Sequence, residues 1–372
     1  MNFFVYLSVK FSKPVGKGTV HFLLALSMLY IPVNLCGQTR KYSNEFLSVG
    51  IGARALGMSN STVATVQDVT AGYWNPAGLA GQSGDMQAAL MHSEYFAGIA
   101  KFDYAGFSSK VDSSSVIGFS AIRFGVDDIP NTLELIDANG NVRYDLIKSF
   151  SAADYAFMFS YARKNQIPGF SYGTTVKVIR RKTGNFASAW GFGIDLGARF
   201  DKKHWHFGLS GRDITSTFNA WKFDNQDLKE VYETTGNELP ENSVEITLPK
   251  LILGISRDFT INKKIEALTE LDAEITFDGK RPVLVQSNPV CVDPHLGVEF
   301  SYNHLVFIRA GVGNIQHVPG FGGKNQLTFQ PNLGLGLCLK RLSIDYALTD
   351  IGDQSIALYS NVFSLRYAFG NH

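Results

Sequence analysis

The chain has 372 residues, of which 45% are hydrophobic, 13% aromatic and only 18% charged, with 36 glycines and 12 prolines. Disorder needs low hydrophobicity and high net charge, so this composition excludes it. The 34 basic residues nearly cancel the 33 acidic ones, which excludes the basic field that nucleic-acid binding requires. A large, aromatic-rich, charge-poor chain without a long apolar run is the composition of an outer-membrane barrel.

In chain order, Lys10, Lys13 and Lys17 come first, followed by the apolar stretch from Phe22 to Ile31. A basic start and an apolar run of about ten residues, too short for a spanning helix of ~20, predict a signal peptide over 1–37. Leu35 stands before Cys36, where lipid attachment asks for a small residue, so Cys36 does not read as a lipid anchor. No later segment reaches ~18 uncharged apolar residues, which places the exported chain in the cell outer membrane and not the inner one.

Residues 38–85 differ in kind from the remainder of the chain. Gly50, Gly52 and Ala55 fit the G-x-G-x-x-A dinucleotide pattern, but that fingerprint works only in a strand–turn–helix unit. The segments after it alternate as strands with no helices between them, so no cofactor is expected. Gly52 and Gly57 instead suit close packing, Asn75-Pro76 a turn, and Asp68 a helix cap. The segment therefore reads as a plug inside a barrel, and a buried Arg54 would need a lumen carboxylate.

Residues 86–372 are written in period two. Trp190, Phe192, Ile194, Leu196 and Phe200 alternate with Gly191, Gly193, Asp195, Gly197 and Arg199. Tyr359, Phe363, Leu365, Tyr367 and Phe369 alternate with Ser360, Ser364, Arg366 and Ala368. One face of each strand is then greasy and the other small or charged. Strand candidates begin near Gln87, Ile99, Ser115, Phe150, Ser171, Ala189, Trp205, Lys250, Ile265, His295, Leu305, Leu327, Leu342 and Leu358. Short turns at 110–114, 165–169, 201–203, 258–263, 303–304 and 340–341 contrast with longer loops at 126–149, 213–247, 278–294 and 314–326. A soluble sandwich also alternates. Aromatic ends on the apolar faces, polar residues along the other face and the short-turn, long-loop contrast favour the membrane. The expected fold is all-β: a transmembrane antiparallel β-barrel of about 14 strands.

The polar faces carry Lys177, Asp195, Arg199, Glu270, Asp272, Glu274, Glu299, Asp345 and Arg366, a set read as a lumen ion-pair network. Arg309 is harder to place, because Leu305 and Phe307 share its parity. His204 and His206 lack further ligands for a metal, Cys291 and Cys338 show no metal spacing, and no catalytic set has supporting context. No enzyme and no metal site is expected. In loop 213–247, Trp221, Phe223, Leu228 and Tyr232 lie among charges, which suits a protein partner or the landing of a hydrophobic small molecule.

One stretch carries a family likeness. Gly52-Ala53-Arg54-Ala55-Leu56-Gly57-Met58, then Val63-Ala64, Asp68 and Tyr73-Trp74-Asn75-Pro76-Ala77-Gly78-Leu79, resembles the N-terminal signature of the PorV/PorQ family of Bacteroidetes outer-membrane proteins. That family is similar in fold to the FadL long-chain fatty-acid transporters, with which it shares Asn75-Pro76-Ala77. The resemblance implies a FadL-like barrel with an N-terminal plug, set in outer-membrane lipid and serving type IX secretion. Its partners would be secreted cargo proteins and other secretion-system components. The alternative is a FadL-like transporter of small hydrophobic molecules.

Overall fold

The computed structural model describes residues 43–136, 139–226, 228–229, 232–233, 236–319, 325–351 and 359–370. The expected signal peptide, 1–37, and the first residues of the expected plug, 38–42, lie outside them.

The strands are β1 (Met86–Tyr95), β2 (Ala100–Lys110), β3 (Ser115–Asn131), β4 (Lys148–Lys164), β5 (Phe170–Thr183), β6 (Ala187–Lys202), β7 (Trp205–Arg212) and β8 (Phe218–Phe223). They continue as β9 (Ser243–Ile246), β10 (Lys250–Thr260), β11 (Ile265–Thr276), β12 (Cys291–Tyr302), β13 (Val306–Pro319), β14 (Asn325–Leu339), β15 (Leu342–Thr349) and β16 (Ser360–Phe369). Consecutive strands pair antiparallel except β7 with β8 and β9 with β10, and β1 pairs with β16 and β5 with β6, so the sheet closes on itself. Closure leaves no unpaired edge, the condition for β-structure in lipid.

Sixteen strands make fourteen barrel strands because two of them are broken. β7 and β8 both pair with β6, and β9 and β10 pair with β8 and β7 in turn. The first break, at 213–217, turns through left-handed residues Asp213 (φ 53°) and Ser216 (φ 56°). Lys177 Nζ holds it, lying 2.8 Å from Asp195 Oδ1 and 2.5 Å from Asp213 Oδ1, and the Asp213 N–H donates to Asp195. Thr217 packs over Gly193, where a Cβ would fall 1.8 Å from the threonine hydroxyl.

Alternation decides which way each side chain points. Leu90 (60% exposed), Phe119, Phe159, Trp190 (56%), Phe300, Ile308 and Leu335 point outward, while Lys177, Asp195, Arg199, Glu270 and Arg309 are buried inside. Tyr161, Tyr172, Tyr302, Tyr367 and Phe369 stand outward beside the short turns, as an aromatic girdle does. A continuous apolar belt of this extent belongs in a bilayer, and the chain is an outer-membrane β-barrel.

The long loops are shorter than the sequence suggests. β3 runs to Asn131 and β4 starts at Lys148; β12 starts at Cys291; β13 and β14 reach Pro319 and Asn325. Beyond the bilayer these hairpins are wet on both faces, so the alternation that marks a strand fades while the pairing continues. Within 213–247 lie β8 and β9, which moves Trp221 and Phe223 from a loop to a strand.

The protein is expected to sediment with outer membranes and to migrate faster on denaturing gels before boiling than after. Recovery as a soluble periplasmic species contradicts the barrel.

Candidate functional site

Residues 43–85 form only short helical pieces: Glu45–Ser48, Ala53–Gly57, Ala71–Trp74 and Pro76–Gly81. Helices this short do not stand alone, so tertiary contacts must hold them. The contacts come from the inner wall. Asp272 Oδ2 on β11 accepts the backbone N–H groups of Thr62 (2.8 Å) and Val63 (3.0 Å). Glu270, one inward position along, accepts the Ala64 N–H at 2.6 Å and the Thr65 hydroxyl. From β6, Arg199 Nε donates to the Ala64 carbonyl at 2.8 Å, and its guanidinium also meets Asp201 at 2.9 Å. Two strands thus grip one turn of the segment by its main chain.

Alternating charges add a second grip. Arg54 Nε lies 3.0 Å from Glu299 Oε2, Glu299 meets Arg309 at 2.5 Å, and Arg309 meets Asp345 at 2.6 Å. Arg309 faces inward together with Phe307, over whose ring its guanidinium sits at 5.2 Å, while Ile308 is 58% exposed outside. The shared parity that made Arg309 hard to place reflects an inward-facing phenylalanine. Asp68 pairs with Arg366 at 2.5 Å and accepts the Thr70 N–H at 2.9 Å. Thr70, not Asp68, occupies the N-cap of Ala71–Trp74. Burial opposes the Asp68 charge, yet Arg366 and Thr70 outweigh it and hold the carboxyl below its ordinary range.

The rest of the family-like stretch meets the wall or itself. The Gly52 N–H points at Met91 Sδ, and the Ala53 N–H donates to Ser364 Oγ at 3.0 Å. At Gly57 a Cβ would come within 2.9 Å of Gly334 Cα, and the backbone at Met58 crowds Gly297 and Gly311, so glycine on the strands lets two backbones touch. Trp74 Nε1 donates to Ile51 O at 3.0 Å. Asn75 is fully buried: its amide donates to Val63 O (2.8 Å) and to Ala198 O on β6 (3.1 Å), and its Oδ1 accepts from Ala77 N. Pro76 opens the next helical piece against Gly197. A Cβ on Gly78 would strike Val66 O at 2.1 Å.

Other predicted residues lie apart from the segment. Lys177 and Asp195 lock the strand break, and Glu274 pairs with Lys250 at 3.0 Å. Trp221 and Phe223 face inward with stacked rings, and the Arg181 guanidinium lies 5.0 Å from the Trp221 ring. They are lining, not loop. Leu228 and Tyr232 are half-buried in the outer loop, joined by one helical hydrogen bond. Sequence reasoning missed Asp213, which shares Lys177, and Arg212, which donates to Tyr73 O and stacks on the rings of Tyr73 and Trp74. Both sit at the break, where period two is lost. Cys291 and Cys338 are free thiols.

A cavity of about 710 Å³ lies on the long-loop side of the segment, and one of about 250 Å³ on the short-turn side. The arrangement is a lumen occupied by the chain's own N-terminal segment, with space on both sides of it.

A closed fourteen-strand barrel with an apolar exterior and a charged interior defines an outer-membrane protein of FadL-like fold. Solved structures agree. The Pseudomonas putida toluene transporter TodX matches with a TM-score of 0.56 at 12% identity, over 86% of this chain and 98% of that one. The Ralstonia pickettii toluene transporter TbuX matches at 0.51 and 14% identity, over 86% and 98%. The CymD monoaromatic hydrocarbon channel matches at 0.51 and 13%, over 87% and 99%. No family model and no curated protein matches the chain.

Glu299→Ala leaves Arg54 without its carboxylate and Arg309 with Asp345 alone, and is expected to destabilise the seated segment by about 3–5 kcal/mol, the usual cost of breaking a buried pair. Urea titration of the barrel measures it. Gly57→Leu should cost about 1–3 kcal/mol or block assembly, through overpacking against Gly334; full recovery of heat-modifiable barrel with an unchanged urea midpoint contradicts the close approach. The Asp68–Arg366 pair adds stability that is complete at neutral pH and is lost as pH falls below the ordinary aspartate range. Asp68→Asn should remove that acid dependence.

Proposed function

We propose that this chain is an outer-membrane transporter of small molecules, with residues 38–85 as a plug, 86–372 as the barrel and 1–37 removed on export. The observation that supports this best is the seating of residues 43–85 against inward-facing Glu270, Asp272, Glu299 and Arg366 of a closed barrel. A lumen occupied in this way is no open sieve, so passage is selective. The proteins of similar fold described as toluene transporters and a monoaromatic hydrocarbon channel make small hydrophobic molecules the first class to test. The chain carries out no chemistry in this reading.

A second reading, assistance to type IX secretion or surface attachment, draws on the likeness of 52–79 to the PorV/PorQ signature. Leu228 and Tyr232 on the outer loop would serve a cargo or secretion partner. Trp221 and Phe223, turned inward, would not. Toluene uptake and surface-protein display, compared between a deletion strain and its parent, separate the two. Reduced uptake with normal display is expected. Normal uptake with lost display hands the case to secretion.

A further inference from the structure

The outward face of the barrel changes character at the outer ends of β5, β6 and β8. Arg180 and Lys182 on β5 share the parity of the outward-facing Tyr172, Val176 and Val178, and Lys222 on β8 shares that of Phe218. Cross-strand register makes them neighbours: Lys182 stands opposite Ser188 of β6, and Ser188 stands opposite Lys222. Two strand spacings of ~4.8 Å put the lysine backbones about 10 Å apart, with the serine between them. One row nearer the bilayer midplane, Arg180 stands opposite Trp190, its guanidinium 4.9 Å from the ring and its Nη1 donating to Ala189 O at 3.3 Å. These cations are left without acids. Arg181, which faces inward, is taken by Asp154 at 2.9 Å, and the outward Arg123 by Asp127 at 3.1 Å. Arg180, Lys182 and Lys222 have no carboxylate partner among the described residues. Asp224, two residues beyond Lys222, accepts the Gln226 N–H at 3.2 Å instead.

Their height follows from the strand. Lys182 lies ten residues along β5 from Tyr172, which stands in the girdle beside the short turns. At ~3.3 Å per residue and ~40° of tilt the climb is about 25 Å, the height of a barrel's apolar band. The three cations therefore sit where the headgroups of the outer leaflet begin. Directly below them Val178, Phe192, Phe218 and Ile246 form one outward cross-strand row, a bed for acyl chains. The basic face is not a general property of the rim. On β1 to β3, Glu94, Asp103 and Asp127 stand outward beside His92 and Arg123 and pair with them. Ammonium groups, a hydroxyl and a preset guanidinium suit a phosphate, which accepts from several donors at once. We infer that the outward face of β5, β6 and β8 binds a phosphate-bearing glycolipid of the outer leaflet, of the lipid A type. Its phosphate would lie against Lys182, Ser188 and Lys222 with Arg180 beneath, and its chains on the apolar row. The inference concerns the barrel's exterior and stands under either reading of the lumen.

The test is native mass spectrometry of the whole barrel, refolded in an uncharged detergent and titrated with diphosphoryl lipid A or its dephosphorylated form. One retained lipid A per barrel is expected, bound more tightly than the dephosphorylated form and not displaced by inorganic phosphate. A basic residue near a charged membrane surface contributes about fivefold. Lys182→Gln with Lys222→Gln should therefore weaken retention about thirtyfold, and adding Arg180→Gln about a hundredfold. A control that removes the same charge elsewhere on the outer side, Lys101→Gln with Lys148→Gln and Lys229→Gln, should retain the lipid. Every variant must keep the unboiled gel shift that marks a folded barrel; the double variant serves where the triple one fails to fold. Equal retention of the phosphorylated and dephosphorylated lipids overturns the proposal. Retention that the double variant leaves unchanged, or that the control loses equally, overturns it as well, and the basic face is then left for an acidic protein segment. Toluene uptake and surface display in the deletion strain bear on the lumen and the loops, and leave this outcome untouched.

Discussion

Everything inside the barrel depends on carboxylates that answer main-chain N–H groups. Glu270 and Asp272 sit on β11 with nothing apolar able to satisfy them, and residues 62–64 present N–H groups that no helix of their own uses. Each side offsets the other's desolvation, which is why a segment with little regular structure holds one conformation. The Arg54–Glu299–Arg309–Asp345 chain extends the same logic to side chains. Removing one member leaves a charge without its partner at bilayer depth.

The wall makes room for this by giving up side chains. Gly334 faces Gly57, Gly311 faces Met58 and Gly197 faces Pro76, so backbone meets backbone where an alanine would hold them apart. Outside, the opposite rule holds: the same strands present Phe, Leu, Trp and Tyr to lipid. The strand break at 213–217 is where the two rules meet, because a bend in the ladder exposes polar backbone that Lys177, Asp195 and Thr217 must cover.

Much of this is legible in the sequence, for a physical reason. A strand in a barrel has one face in lipid and one in a polar lumen, so Trp190 to Phe200 or Phe363 to Phe369 displays the fold in its spacing. The ring of inward charges could be read the same way, from Lys177 to Arg366. Where the signal failed, a different constraint had replaced burial. Phe307 points inward because it packs under Arg309, which spoils the parity rule. Trp221 and Phe223 looked like loop because the bend before them resets the alternation, and Lys222 and Asp224 beside them are exposed. Which carboxylate meets which segment atom was never in the spacing, since those partners lie some two hundred residues apart.

The most direct measurement of the central claim, that the segment is seated on the inner wall, is a disulfide between the two. A Cβ on Gly72 lies 3.3 Å from the Cβ of Ser160 on β4, close to the ~3.5–4.5 Å of native bridges. Gly72→Cys with Ser160→Cys, in a chain whose own cysteines are changed to serine, should form an intramolecular bond during export. A mobility change on non-reducing gels, reversed by a thiol reductant, is the predicted result. Two free, maleimide-reactive thiols in a barrel that still shows its unboiled gel shift would contradict it.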